Sequence, residues 1–145
     1  MFAVFAPHLG KVPAHRYGAA PASTHGLPSV DTTIALIVAA GRGQRLSGDR
    51  PKQYRKLAGN PVLRWSVCSF LVHPAIDRVQ IVFNREDAAL YGEALADFDL
   101  PVPVEGGETR QDSVRNGLNA IVELEPAKVL IHDGARPIVP PALIE

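Results

Sequence analysis

Apolar residues in this chain fall into continuous runs and into helical spacing, and the switches between them divide it into elements. Ile34 to Ala40 is an unbroken apolar run rich in β-branched residues, the pattern of a strand buried on both faces of a parallel sheet. Gly41 and Gly43 end it. After the turn residues Gly59 and Asn60, Leu63, Val67, Phe70 and Leu71 fall at i, i+4, i+7 and i+8 with Arg64, Ser66 and Ser69 between them. This spacing predicts an amphipathic helix over residues 62–72, opened by Pro61 as the first helical residue and ended by His73-Pro74. Trp65 and Cys68 on this helix are read as packing residues, since nothing nearby in sequence would depress a thiol pKa.

Further along, Arg78 to Phe83 reads as a second strand, and Arg85 to Ala96 as a second helix with Ala88, Ala89, Leu95 and Ala96 available for packing. Val102 to Val104 reads as a short third strand. Thr109 followed by Asp112 has the form of a capping box, and Val114, Leu118, Ile121 and Val122 keep helical spacing to about residue 123. Lys128 to His132 is the fourth strand. Strands alternating with helices predict an α/β fold with a doubly wound, mostly parallel sheet. Ligands of such sheets bind beyond the carboxyl ends of the strands. Three glycine-rich or polar segments follow predicted strands, at residues 40–52, 105–113 and 133–136, so they are expected to line one cleft.

Charge narrows this picture. The 145 residues carry no net charge, which argues against a general nucleic-acid binder, yet Arg42, Arg45, Arg50, Lys52, Arg55 and Lys56 stand against Asp49 alone in the segment after the first strand. A local excess of cations beside a glycine loop suits a phosphate-bearing ligand, because bare N–H groups approach closely where no Cβ intervenes. The single cysteine, Cys68, excludes an internal disulfide and fits a reducing cytoplasm, and no apolar run reaches the length that spans a membrane. Residues 1–30 contain Pro7, Pro13, Pro21 and Pro28 and no acidic residue, and are read as a disordered or loosely attached tail preceding a domain over 31–145. The opening MFAVFA is too short for a signal-peptide core, and His8, His15 and His25 match no familiar metal-ligand spacing.

The loop GRGQR is neither the dinucleotide fingerprint, because Leu46 occupies the third glycine position, nor a P-loop. The string AAGRGQR followed by PKQ instead resembles the signature of the sugar-phosphate nucleotidyltransferases. Together with PKQY, GGETRQDSV and HDGARP in that order, it resembles the 2-C-methyl-D-erythritol 4-phosphate cytidylyltransferases of the non-mevalonate isoprenoid pathway, from Thr33 to the end of the chain. The resemblance implies a Rossmann-like nucleotidyltransferase fold that is C-terminally incomplete here, with CTP and a polyol phosphate as substrates and Mg²⁺ as cofactor. It implies that the backbone of Ala39, Ala40, Gly41 and Gly43 holds the CTP phosphates, and that Arg45 and Lys52 act catalytically on the triphosphate. Gly106, Gly107, Glu108, Arg110 and Ser113 match the segment that reads cytosine; Asp133 would approach the ribose and the metal-bound phosphates, with the Gly134 backbone beside it.

Some alternatives stand beside these roles. Glu108 occupies a position where the family often has Asp, and Glu108 with Thr109 also reads as a helix-start pair. Gly134 replaces a common Ala. Asp133 could serve only a strand-end turn, Arg136 could pair with Asp133 or with phosphate, and His132 is read as packed or hydrogen-bonded rather than as a ligand. Family members continue well beyond residue 145 with another catalytic lysine, acceptor-binding residues and a dimer arm, and some are fused to a cyclodiphosphate synthase. The resemblance thus implies a cytoplasmic homodimer for the whole protein, with neither nucleic acid nor membrane as partner. Two other readings remain: a cytidylyltransferase for another acceptor such as ribitol 5-phosphate, and a CTP-binding fragment without catalysis.

Overall fold

A computed structural model describes residues 31–41 and 50–144. The tail at residues 1–30 and the loop residues Gly43 and Arg45 therefore lie outside the described residues. The central sheet is built from β1 (Thr33–Ala39), β4 (Arg78–Phe83), β5 (Val104–Glu105) and β6 (Lys128–Asp133), and a separate two-stranded hairpin from β2 (Lys56–Leu57) and β3 (Asn60–Pro61). The helices are α1 (Val62–Leu71), α2 (Ala88–Leu95) and α3 (Arg110–Ile121). Strand order in the sheet is β5-β4-β1-β6, with every pairing parallel. The chain leaves β1 toward β4 and β5 and then crosses back to place β6 on the other side of β1, which creates the reversal of direction where such sheets hold ligands.

The period-2 alternation of β1 explains why helices cover both faces. Ala35, Ile37 and Ala39 join Val79 and Ile81 of β4 in a cluster closed by Leu63, Val67, Phe70 and Leu71 of α1 and by Ala94 and Leu95 of α2. Leu36 and Ala40 point the other way, with Val82, Val104 and Val129 beside them, toward α3. The four apolar positions of α1 are all buried, as their spacing predicts, and each such side chain contributes about 1.5–3 kcal/mol. The doubly wound expectation thus holds.

Several boundaries differ from the sequence reading, each for a local reason. Pro61 is not the first helical residue; it belongs to β3 and precedes α1 with an extended backbone. The hairpin turn is Ala58-Gly59, both at positive φ, rather than Gly59-Asn60. The second helix begins as a 3-10 turn, Arg85–Asp87, and its buried residues are Ala94 and Leu95, whereas Ala88, Ala89 and Ala96 are exposed. The third strand lies at Val104–Glu105, because the Val102 carbonyl accepts from Gln80 Nε2 (2.9 Å) instead of entering the ladder. On α3 only Ile121 of the four expected apolar positions is buried, with Leu118 and Val122 exposed. Its close contact with the sheet is made by Gly117, where an added Cβ would come within 2.7 Å of Leu36 and Val82 side chains. The capping box forms as predicted: Thr109 Oγ1 accepts from the Asp112 amide (3.1 Å) and Asp112 Oδ2 accepts from the Thr109 amide (3.3 Å).

In the core cluster, Tyr54 is buried with no hydrogen-bond partner for its hydroxyl among the described residues, and burial, reinforced by the nearby Asp87 charge, pushes that hydroxyl's pKa far up. A buried, unpaired hydroxyl contributes a desolvation cost without a compensating bond. Tyr54→Phe is accordingly expected to leave stability unchanged or raise it by up to about 1 kcal/mol. A thermal melt showing a clear loss would contradict that account.

Candidate functional site

A cleft of about 770 Å³ opens at the carboxyl ends of the strands, within the size range of small-molecule sites. Each wall comes from a different strand end. Val38 lies near the end of β1 and Ala40 and Gly41 continue it; Asn84 and Glu86 follow β4; Gly106 to Arg110 with Ser113 lead from β5 into α3; Asp133 ends β6. Ala40 and Gly41 of the first expected segment converge with residues of the other two, and a fourth segment, after β4, joins them; residues 42–49 of the first lie outside the described residues.

The β5–α3 wall is held by hydrogen bonds that leave little slack. The Gly106 amide donates to the Phe83 carbonyl at 2.8 Å, and the buried Ser113 hydroxyl accepts from the Gly107 amide at 3.1 Å while donating to the Thr109 carbonyl at 3.0 Å. Asn116 Nδ2 ties α3 to the Glu105 carbonyl at 3.1 Å. The Thr109 hydrogen bond, aided by Arg115, holds the Asp112 carboxyl below the usual carboxylate range. With the capping box closed, the amino end of α3 presents Thr109 and Arg110 to the cleft, a setting that favours anions.

On the opposite wall, the Asp133 Oδ1 atom accepts from the Ala135 amide at 3.0 Å, and Oδ2 lies 3.7 Å from Arg136 Nε. The pairing with Arg136 left open by the sequence is thus present, alongside a strand-end turn. His132 packs against the Phe70 ring at a centroid distance of 4.9 Å, and its Nε2 lies 3.0 Å from the Arg136 carbonyl. Burial moves its pKa down, so it is a packed, hydrogen-bonded residue as expected. Cys68 is buried and burial moves its thiol up, in keeping with a packing role.

Of the residues singled out from sequence, Ala40, Gly41, Gly107, Glu108, Arg110, Ser113 and Asp133 meet at this cleft. Ala39, Lys52 and Gly134 are not among its lining residues. Ala39 faces the α1 side of the core, and Gly134 sits where an added Cβ would lie 3.0 Å from Leu63 and 3.1 Å from Ala39, with its amide donating to the Val38 carbonyl at 2.9 Å. Lys52 is exposed at the start of the 3-10 turn Lys52–Tyr54. Among the described lining residues the charged groups are Glu86, Glu108, Asp133 and Arg110, so acid predominates there. Carboxylate oxygens of this kind suit a hard divalent cation, for which one or two protein carboxylates suffice. Among the described residues, no cluster of three or more His, Cys, Asp or Glu forms an all-protein metal site.

Four positioned residues escaped the sequence reading. Asn84 and Glu86 obey the same strand-end rule that flagged the other walls. Gln53 and Ser66 act on loops from a distance: Gln53 Nε2 donates to the Ala39 and Gly41 carbonyls, and Ser66 Oγ lies 3.1 Å and 3.0 Å from the Gly134 and Arg136 carbonyls.

Comparison with known proteins places this architecture. Residues 33–145 match the family described as IspD, 2-C-methyl-D-erythritol 4-phosphate cytidylyltransferase. The chain is 53% identical over 107 residues to the bifunctional enzyme IspD/IspF of Paramagnetospirillum magneticum, covering 74% of this chain and 28% of that one. Against the bifunctional enzyme IspD/IspF of Rhodopseudomonas palustris the identity is 54% over 112 residues, covering 77% and 28%. The crystal structure of 4-diphosphocytidyl-2C-methyl-D-erythritol synthase from Anaerococcus prevotii superimposes with a TM-score of 0.62 at 30% identity, covering 78% of this chain and 47% of that one. The chain thus spans less than a third of those curated relatives and about half of that solved structure. With the strand order, the cleft and the sequence match in agreement over residues 33–145, the chain belongs to the 2-C-methyl-D-erythritol 4-phosphate cytidylyltransferase family.

Proposed function

We propose that the whole protein transfers CMP from CTP to 2-C-methyl-D-erythritol 4-phosphate and releases pyrophosphate. The observation that carries this reading is the convergence of Ala40–Gly41, Gly106–Ser113 and Asp133 on one cleft at the strand ends of a chain of this family. An oxygen of the acceptor's phosphate attacks the α-phosphorus of CTP; that P–O bond forms as the bond to the β-phosphate breaks, and pyrophosphate leaves. The attacking phosphate is ionised at neutral pH, so positioning and charge neutralisation carry the catalysis rather than a general base.

Within this reading, the Ala40 and Gly41 backbone faces the triphosphate, while Arg45 and Lys52 neutralise the charge that builds on the leaving pyrophosphate. Gly107, Arg110 and Ser113 address the cytosine, with Glu108 beside them. Asp133 would hold Mg²⁺; the ion, when bound, screens the phosphate oxygens and makes the α-phosphorus more electrophilic. The reading also carries a cytoplasmic setting and a homodimeric whole protein. Among the described residues no helix is long and apolar enough to cross a membrane.

Two measurements test it. The whole protein is expected to release pyrophosphate from CTP with 2-C-methyl-D-erythritol 4-phosphate and Mg²⁺, and not when ribitol 5-phosphate replaces the acceptor. The 145-residue chain is expected to bind CTP by itself. Turnover with ribitol 5-phosphate alone would change the acceptor, and failure of the chain to bind CTP would overturn the nucleotide site.

A further inference from the structure

Among the described residues the strand pairings of β1 stop at Ala39, yet Ala40 and Gly41 beyond it form one wall of the cleft. Gln53 supplies the missing partner. Its side chain is 3% exposed, and its single amide nitrogen donates to the Ala39 carbonyl at 2.7 Å and the Gly41 carbonyl at 2.9 Å. A primary amide has two N–H donors, and both are used. Because both partners are carbonyls, only this orientation of the amide satisfies them. The side chain does what a neighbouring strand's amides would do, fixing two carbonyls that flank Ala40.

The other end of the clamp is equally held. Gln53 sits in a 3-10 turn in which the Tyr54 amide donates to the Pro51 carbonyl at 3.0 Å and the Arg55 amide to the Lys52 carbonyl at 3.2 Å. Lys52 is the residue immediately before it. One side chain therefore ties the Ala40–Gly41 wall to the turn that bears Lys52. We infer that Gln53 is a positioning residue for the triphosphate half of the site, holding the Ala40–Gly41 backbone and Lys52 in fixed relation. This deepens the proposed function and rests on it for the identity of the ligand. Gln53 itself touches no reacting atom.

The experiment uses the ¹⁵N-labelled 145-residue chain with CTP as probe and two variants. Gln53→Met keeps the volume and removes both donors; Gln53→Asn keeps the amide but is one methylene too short to reach both carbonyls. For Gln53→Met without nucleotide, the Ala40 and Gly41 amide signals are expected to shift and broaden while that of Ala120 on α3 stays in place. The dissociation constant for CTP is expected to rise about tenfold, as two lost hydrogen bonds imply. Gln53→Asn should fall between the two, and if Gln53→Met does not fold, Gln53→Asn decides by the same readouts. A purely structural role would lower the melting temperature without a selective shift at Ala40 and Gly41. Unmoved signals at those two residues, or CTP affinity within about twofold of the unsubstituted chain, overturns the inference. If the unsubstituted chain binds no CTP, the proposed function falls, and the clamp is judged by the amide signals alone.

Discussion

Lys52→Ala in the whole protein is expected to lower kcat for CMP transfer by roughly 100- to 1,000-fold, the usual cost of deleting one group aimed at developing transition-state charge. As the bond between the α- and β-phosphates breaks, negative charge accumulates on the leaving pyrophosphate, and a compact ammonium is the point charge suited to it. The side chain is exposed, so its removal leaves the core and the Gln53 clamp intact and the fold changes by no more than about 0.5 kcal/mol. That separates the chemical effect from a folding effect. Lys52→Arg keeps the charge in a wider, planar head group and is expected to retain more activity than Lys52→Ala. Pyrophosphate release at saturating CTP and acceptor, beside thermal melts of all three proteins, is the measurement. A kcat for Lys52→Ala within about threefold of the unsubstituted protein would remove Lys52 from the mechanism.

What could be read from the sequence was whatever repeats locally. The α1 face follows from a period of 3.6 and the two-sided burial of β1 from its unbroken apolar run, and the strand-end rule points to three walls of the cleft. What could not be read depends on partners far away in the chain. The β2–β3 hairpin has two-residue strands, too short to show a period, and its turn places Ala58, a residue with a Cβ, at φ 49°. On α3 a hydrophobicity pattern assigns weight to Leu118 and Val122 and none to Gly117, yet the glycine makes the approach to Leu36 and Val82 because it is the residue with no side chain to keep the helix away. Gln53 and Ser66 read as ordinary polar residues. Their roles appear only once the chain returns carbonyls from other elements to within hydrogen-bond reach.

Charge in the site divides along the same line. The cationic excess after β1, of which Arg42 and Arg45 lie outside the described residues, suits a phosphate ligand, whereas the described lining of the cleft is richer in carboxylates, at Glu86, Glu108 and Asp133. The two are complementary for a triphosphate. In the proposed function Arg45 and Lys52 would neutralise phosphate charge, and Asp133 on the acidic rim would hold Mg²⁺.

Gly106→Ala is expected to weaken CTP binding by about 10- to 100-fold and to destabilise the fold by about 1–3 kcal/mol, the range for forcing an extra methyl into a close-packed position. An added Cβ would overlap the Ala40 side chain and lie 2.9 Å from Ser113 Oγ and 3.4 Å from the Phe83 carbonyl. None of these neighbours can step aside cheaply. The Ala40 methyl rides directly on the main chain, Ser113 is committed to Gly107 and Thr109, and the Phe83 carbonyl already accepts from the Gly106 amide. Relief must come from moving the β5–α3 segment away from β1, and both segments line the cleft. Gly41→Ala provides the contrast, because among the described residues a Cβ there meets nothing within 4 Å. Its stability should stay within about 0.5 kcal/mol, so any loss of CTP affinity arises from collision with the ligand rather than from strain in the protein. Calorimetric titration with CTP and thermal melts on both variants distinguish the two causes. A Gly106→Ala chain that melts and binds CTP like the unsubstituted one would mean the walls are held less closely than their hydrogen bonds require.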